Sequence, residues 1–272
     1  MKEGMGMLKL LQNTTIPSVN KTPAIYIAGD EEKPAVLIAH GIMGCKNEYL
    51  KTSARISEML ESQGFASLRI DFCGHGDSKV NLSSFSLSSQ IQDLCAAIEW
   101  LNGKGYSRVS LVGISFGAPP VLIVSQLFSK SIDKCVLIAP VIDYKRTFLY
   151  PETPWGKEYF GVDKVIKGIE DGGIQLDAGY VLSPRVLTDI LLVDIPSIVS
   201  NPRNQITIFH GNCDNMVPLA ASMDISVKNE AIKVCVMDKT EHGLTEEGDE
   251  KFATEISVAN LQRVVAALAT TS

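Results

Sequence analysis

Seven short, mostly unbroken apolar runs constrain this chain more than any other feature. They are "AIYIAG" from Ala24, "AVLIAH" from Ala35, "FASLRID" from Phe65, "RVSLVG" from Arg108, "KCVLIAP" from Lys134, "QITIFHG" from Gln205 and "IKVCVMD" from Ile232. Continuous rather than alternating patterns suit strands covered on both faces, as in a parallel sheet. Helical stripes lie between them. Leu87, Ile91, Leu94, Cys95, Ile98 and Leu101 share one helix face, stopped by Gly103. Ile56, Met59 and Leu60 mark a second helix ending before Gly64, and Phe252, Ile256, Leu261, Val264, Val265 and Leu268 a C-terminal one. Strands and helices alternating at these lengths predict an α/β fold with a mostly parallel, doubly wound sheet. The strands near residues 8–29 have no helix between them and are expected to form an antiparallel hairpin at one edge.

Residues 143–202 interrupt the rhythm. They contain no strand of the main series, but hold Phe148, Tyr150, Trp155, Tyr159, Phe160 and Tyr180 and a helical segment, "SPRVLTDILLVDI". An insertion of this length without its own sheet is expected to act as a cap or lid over a site. The alternative is a second helical layer with no functional role. The expected organisation is therefore a core of residues 1–142 and 203–272 with a cap at 143–202.

Composition narrows the partners. A net charge of −6 without a basic cluster argues against nucleic acid or an anionic membrane. No apolar run approaches the roughly eighteen residues of a membrane span. The first residues, "MKEGMGMLKLLQ", lack the pattern of a secretion signal. Six scattered cysteines form no C-x-x-C pair and predict neither zinc nor disulfides, so a reducing cytoplasm is the expected compartment. No metal, phosphate cradle or other cofactor is expected, and the sequence does not set the oligomeric state.

All four histidines, His40, His75, His210 and His242, close or follow a strand. In an open α/β sheet that is where ligands bind. "GISFG" places Ser115 between a strand and a helix, with Gly113 and Gly117 permitting the sharp turn that exposes a serine nucleophile. "HGIMG" from His40 to Gly44 supplies a glycine-containing loop. The amides of Ile42, in that loop, and of Phe116, beside the serine, are the expected oxyanion donors. A serine hydroxyl needs a histidine base held by an acid. His242, in "KTEHGL", is the expected base, and Asp214, in "HGNCDNMVP", the expected acid; Asp238 and Glu241 are the alternatives. His40, His75 and His210 are read as structural. In "RIDFCGHGDS", Gly74 and Gly76 permit a tight loop, and Asp77 and Ser78 are expected to bond backbone amides.

Together "HGIMG", "RIDFCGHGDS", "GISFG", "HGNCDNMVP" and "EHG" resemble the α/β-hydrolase superfamily across essentially the whole chain. Within it, the sequence is most similar to cinnamoyl (feruloyl) esterase-like and monoacylglycerol lipase-like enzymes. The resemblance implies a serine carboxylesterase acting on a small-molecule ester, with the chain order Ser115, Asp214, His242 of that fold. The compact aromatic insertion favours short or cinnamoyl-type acyl groups over long chains. Thioesterase, peptidase and acyltransferase activity, and a non-catalytic binding protein on the same fold, remain the alternatives. One departure is "GAPP" after the serine, where Pro119 and Pro120 remove two amides near the start of the following helix.

Overall fold

The apolar runs become the strands of one eight-stranded sheet. In the computed structural model, which describes residues 11–246 and 255–270, its strands are β1 (Gln12–Ile16), β2 (Thr22–Ile27), β3 (Ala35–Ala39), β4 (Ser67–Ile70), β5 (Val109–Ile114), β6 (Ile132–Ile138), β9 (Gln205–Gly211) and β10 (Ile232–Met237). Two further strands, β7 (Ile174–Gln175) and β8 (Val181–Leu182), stand apart as an antiparallel pair. The main order is β1-β2-β4-β3-β5-β6-β9-β10. β1 and β2 form the expected antiparallel edge hairpin, β2 runs antiparallel to β4, and all later neighbours are parallel.

Both faces of the central strands are covered. Leu37, Leu111 and Leu137 point into one core with α2 (Leu87–Gly103) and α3 (Ala118–Leu127). Val36, Ile38, Val112, Val136 and Ile138 point into a second core, against α1 (Thr52–Ser62) and α9 (Val258–Ala269). Alternate residues of one strand thus enter opposite cores, which explains why these runs are mostly apolar at consecutive positions rather than alternating. α8 (Leu219–Val227) packs beside β9 and β10. α2 matches its sequence stripe from Leu87 to Gly103. The C-terminal helix starts later than its pattern implied: Ile256 pairs as a β-bridge with Thr245, Ser257 caps the helix, and Phe252 lies outside the described residues. A serine whose hydroxyl accepts the Asn260 amide ends the extended chain there.

Residues 143–202 form a single π turn at Lys145–Leu149, then α4 (Pro154–Tyr159), α5 (Val162–Glu170), the β7–β8 pair, α6 (Pro184–Leu192) and α7 (Ile195–Ile198). The segment therefore does have a sheet of its own, though of two residues per strand. Runs this short, split by glycines at 172, 173 and 179, carry no legible period. The segment is fastened at several points: Asp189 accepts the Leu87 amide at 2.8 Å, Thr153 donates to the Met216 carbonyl at 3.0 Å, and Tyr180 meets His75 Nε2 at 3.0 Å. Among the described residues, no helix is long and apolar enough to cross a membrane.

Candidate active site

Ser115 sits where β5 gives way to α3, with φ at +51°. A serine in this left-handed region costs about 1–3 kcal/mol, so the turn must be held from outside. Two packing contacts hold it. A Cβ on Gly113 would lie 2.8 Å from Ala118 Cα, and one on Gly117 would lie 2.5 Å from the His40 carbonyl oxygen. Only glycines let the start of α3 press against β5 and the end of β3. The Val141 amide donates to the Ser115 carbonyl at 3.1 Å, tying the turn to the chain after β6. Pro119 and Pro120 fall in the first turn of α3, where amides lack intrahelical acceptors, and the helix continues unbroken to Leu127.

The structure brings together the three residues singled out as nucleophile, acid and base. Ser115 Oγ lies 2.9 Å from His242 Nε2, and His242 Nδ1 lies 2.9 Å from Asp214 Oδ2. The three come from separate loops after β5, β9 and β10, so the sheet registers them. Asp214 is fully buried and the His242 side chain is 18% exposed. Asp214 Oδ1 accepts the amides of Met216 and Val217, each at 2.9 Å, which leaves Oδ2 for the imidazole. Burial pushes the Asp214 carboxyl up, but His242 and His210 outweigh it and hold it well below the usual carboxylate range. For His242, burial opposes the charged ring, yet the Asp214 carboxylate brings the net shift above the ordinary imidazole value. Such a chain can take a proton from the serine and hold it on the ring.

The alternative acids lie elsewhere. Asp238 is exposed and accepts from Asn212 Nδ2 at 2.9 Å, while the Glu241 amide bonds the Thr245 carbonyl. The amide of Ile42 makes no hydrogen bond among the described residues, and Phe116 lies in the turn that precedes α3.

The remaining histidines are buried and hydrogen-bonded. His40 Nε2 accepts the Phe72 amide at 3.0 Å, and burial with the neighbouring His75 lowers its pKa to about 3. His210 contacts Ser222 and, at 3.2 Å, Asp214. That second histidine on the acid was not apparent from the sequence, where only a strand-end position was visible. In the loop from Asp71 to Ser78, Ser78 Oγ accepts the Gly74 and Val80 amides as expected. Asp77 instead pairs with Lys46 Nζ at 2.6 Å, and the buried Asp71 takes the amides of Lys46 and Asp77. Lys46 arrives from the loop after β3, a partner that sequence spacing does not announce.

Aromatic rings run from the serine turn into residues 143–202: Phe116 stacks on Tyr144 at 5.7 Å, Phe148 meets Phe116 at 6.0 Å, and Phe160 meets both Phe148 and Trp155. A separate groove of about 460 Å³ lies between this segment and α8, lined by Arg146, Asp224 and Lys228 among others. It includes none of Ser115, Asp214 and His242.

Comparison with known proteins bears on the fold. Residues 34–166 match the model of the alpha/beta hydrolase fold. Est1E from Butyrivibrio proteoclasticus, solved with ferulic acid bound, superposes with a TM-score of 0.70 at 19% identity, covering 91% of this chain and 92% of that one. The monoacylglycerol lipase of Paleococcus ferrophilus gives 0.70 at 15% identity, over 90% and 97%. The chain thus has the α/β-hydrolase fold. A curated acyl transferase of Shewanella hanedai is 29% identical over 107 residues, which are 39% of this chain and 32% of that relative. The match therefore spans about a third of the curated relative's length.

Proposed function

We propose that this chain is a serine carboxylesterase that cleaves small or cinnamoyl-type esters through an acyl-enzyme. The observation that carries the reading is the Ser115–His242–Asp214 chain, with two 2.9 Å contacts, built on a strained serine. Ser115 Oγ attacks the ester carbonyl as its proton passes to His242 Nε2. The new oxyanion is received by the amides of Ile42 and Phe116. The tetrahedral intermediate collapses, and the alcohol leaves with the proton from the imidazolium. Water, deprotonated by the same ring, then cleaves the acyl-enzyme. Asp214 fixes the tautomer and steadies the charged ring. In this reading residues 143–202 cap the site, supported by their bonds to the loop carrying Asp214 and by the rings that begin at Phe116.

The aromatic wall and the ferulic acid bound to Est1E both favour a compact, planar acyl group. The acyl transferase relative favours one second reading, in which the same acyl-enzyme is passed to an acceptor other than water. The test compares kcat/KM for p-nitrophenyl acetate, butyrate and palmitate and for methyl ferulate, with and without added alcohol or thiol acceptors. Short and cinnamoyl esters are expected to lead. A preference for palmitate replaces this reading with a lipase one, and acceptor-dependent product replaces hydrolysis with transfer. Ser115→Ala is expected to lower kcat on the order of 10⁴-fold or more and to abolish fluorophosphonate labelling.

A further inference from the structure

The loop that follows β3 concentrates backbone strain beside the serine. Met43, Glu48, Leu50 and Lys51 all have positive φ, and Glu48 combines φ 61° with ψ 169°, a region that is almost the preserve of glycine. Placing glutamate there is unfavourable unless its side chain is needed where that backbone puts it. The carboxylate turns into the loop. Oε2 accepts the Gly41 amide at 2.7 Å and Oε1 accepts the Tyr49 amide at 3.2 Å. The chain also closes around it at Gly44, where a Cβ would come within 2.7 Å of Oε1. Gly41 abuts the serine: a Cβ on it would stand 3.1 Å from Ser115 Cβ and 3.7 Å from Oγ. Ile42, the oxyanion donor of the proposed mechanism, is the next residue.

We propose that Glu48 is a positioning residue that clamps the oxyanion loop through the Gly41 amide and sets a second carboxylate, besides Asp214, against the imidazole of His242. The proposal rests on the serine hydrolase reading above. The charged groups acting on His242 are Asp214, from the loop after β9, and Glu48, from the loop after β3; Ser115 faces it as a neutral hydroxyl. Glu48 in turn is held by the two amides and feels the charge of His242. Burial raises its carboxyl, and the amides and His242 oppose that rise. During attack on the ester the imidazole becomes cationic, so a fixed negative charge nearby favours the transition state, and the Gly41 bond keeps that charge from swinging into the oxyanion site.

Glu48→Gln separates the two roles, since the amide oxygen still accepts from Gly41 while the charge is gone. Glu48→Gly removes both and relaxes the backbone. Histidine-labelled protein, with only four rings to assign, gives the His242 titration by NMR, and the rate of fluorophosphonate labelling reads serine reactivity without a chosen substrate. In Glu48→Gln the His242 midpoint is expected to fall by about half a pH unit to one unit. Plateau labelling should slow about threefold to tenfold. In Glu48→Gly labelling should slow by about ten- to a hundredfold, as when an oxyanion donor is misplaced. An unmoved or raised midpoint in Glu48→Gln, or wild-type labelling by Glu48→Gly, overturns the proposal. If wild-type Ser115 does not label, the hydrolase reading fails, while the NMR titration still decides whether Glu48 acts on His242.

Discussion

The parallel sheet and the segment at 143–202 solve the same problem by different means. At the strand ends, each side chain of the candidate site is fixed by hydrogen bonds and close backbone contacts: two amides on Asp214, two glycines around Ser115, buried partners on His40 and His210. In 143–202 the aromatic rings mostly fix one another. The strand ends thus hold their side chains by directed bonds, and the segment mainly by ring packing. The comparison teaches that mutations at strand ends should change rate steeply, whereas mutations in the segment should change selectivity or stability more gently.

The largest effect tests the first half of that contrast. Asp214→Asn is expected to lower kcat by roughly 10³- to 10⁴-fold, because an amide cannot hold the imidazole in the required tautomer. Asp238→Asn, at an exposed position whose carboxylate accepts from Asn212, should stay within about threefold of wild type. Steady-state kinetics on both variants decide the acid, and the reverse ranking would move that role to Asp238.

Next comes pH. His242 must be neutral to accept the serine proton, and its pKa is raised. The rate should therefore fall about tenfold per pH unit below a midpoint above the ordinary 6.5. Stability follows different groups. His40, lowered to about 3, stays neutral when folded while the unfolded ring protonates, so stability falls as pH drops from about 6.5 towards 3. Asp214 has the same sense in a lower window: with its pKa depressed, its stabilisation is complete above the unfolded carboxylate value and is lost as pH falls from there through the lower folded one. Activity should thus disappear reversibly before the fold does. Kinetics and thermal melting across pH 4–8 check this, and coincident loss of both would contradict it.

A third substitution moves into the segment. Trp155 is half-buried, packs at a tilt against Tyr159 and Phe160, and donates its amide to the carbonyl of Asn215, the residue after Asp214. Trp155→Ala is expected to reduce kcat/KM for methyl ferulate about tenfold and for p-nitrophenyl acetate less than threefold, since a small acyl group has little to lose from a missing ring. Equal losses on both esters would mean that the rings serve packing alone.

These regions also differed in what the sequence made legible. The sheet could be read because strands buried on both faces leave mostly apolar runs, and the strand-end positions of Ser115, Asp214 and His242 because each falls in a short signature there. The edge hairpin and α2 were equally plain, the latter bounded by Ser86 and Gly103. Other features depend on contacts between loops distant in sequence. The Lys46–Asp71–Asp77 cluster joins the loop after β3 to the loop after β4, and His210 reaches Asp214 only because the loop after β9 folds back. Glu48 shows no signal in the sequence, since its importance lies in a backbone conformation that no residue pattern advertises. In 143–202, α6 falls within the helical segment "SPRVLTDILLVDI", whereas the other helices, of four to nine residues, and the strands of two are shorter than the windows in which a period can be recognised.

The smallest expected effect concerns how the segment is tethered to the sheet's helices. Asp189, in α6, accepts the amide of Leu87, the first residue of the seventeen-residue α2. The next free amides of that helix are served locally: Ser86 Oγ accepts from Ser89, and Ser89 Oγ accepts the Ser86 amide in return. Asp189 therefore completes a cap whose other members come from α2 itself, and it places a carboxylate at the positive end of the helix dipole. Burial raises its carboxyl, while the Leu87 amide draws it back. Asp189→Ala leaves that amide without its acceptor and is expected to destabilise the protein by about 0.5–2 kcal/mol, a drop in Tm of roughly 2–6 °C for a chain of this size. Because Asp189 touches none of Ser115, Asp214 and His242, kcat on p-nitrophenyl acetate should remain within about twofold at 25 °C. Calorimetry and kinetics on the same sample separate the outcomes. A large fall in kcat with an unchanged Tm would show that the tether governs the site rather than the fold, and would erase the division between a rigid sheet and a covering segment.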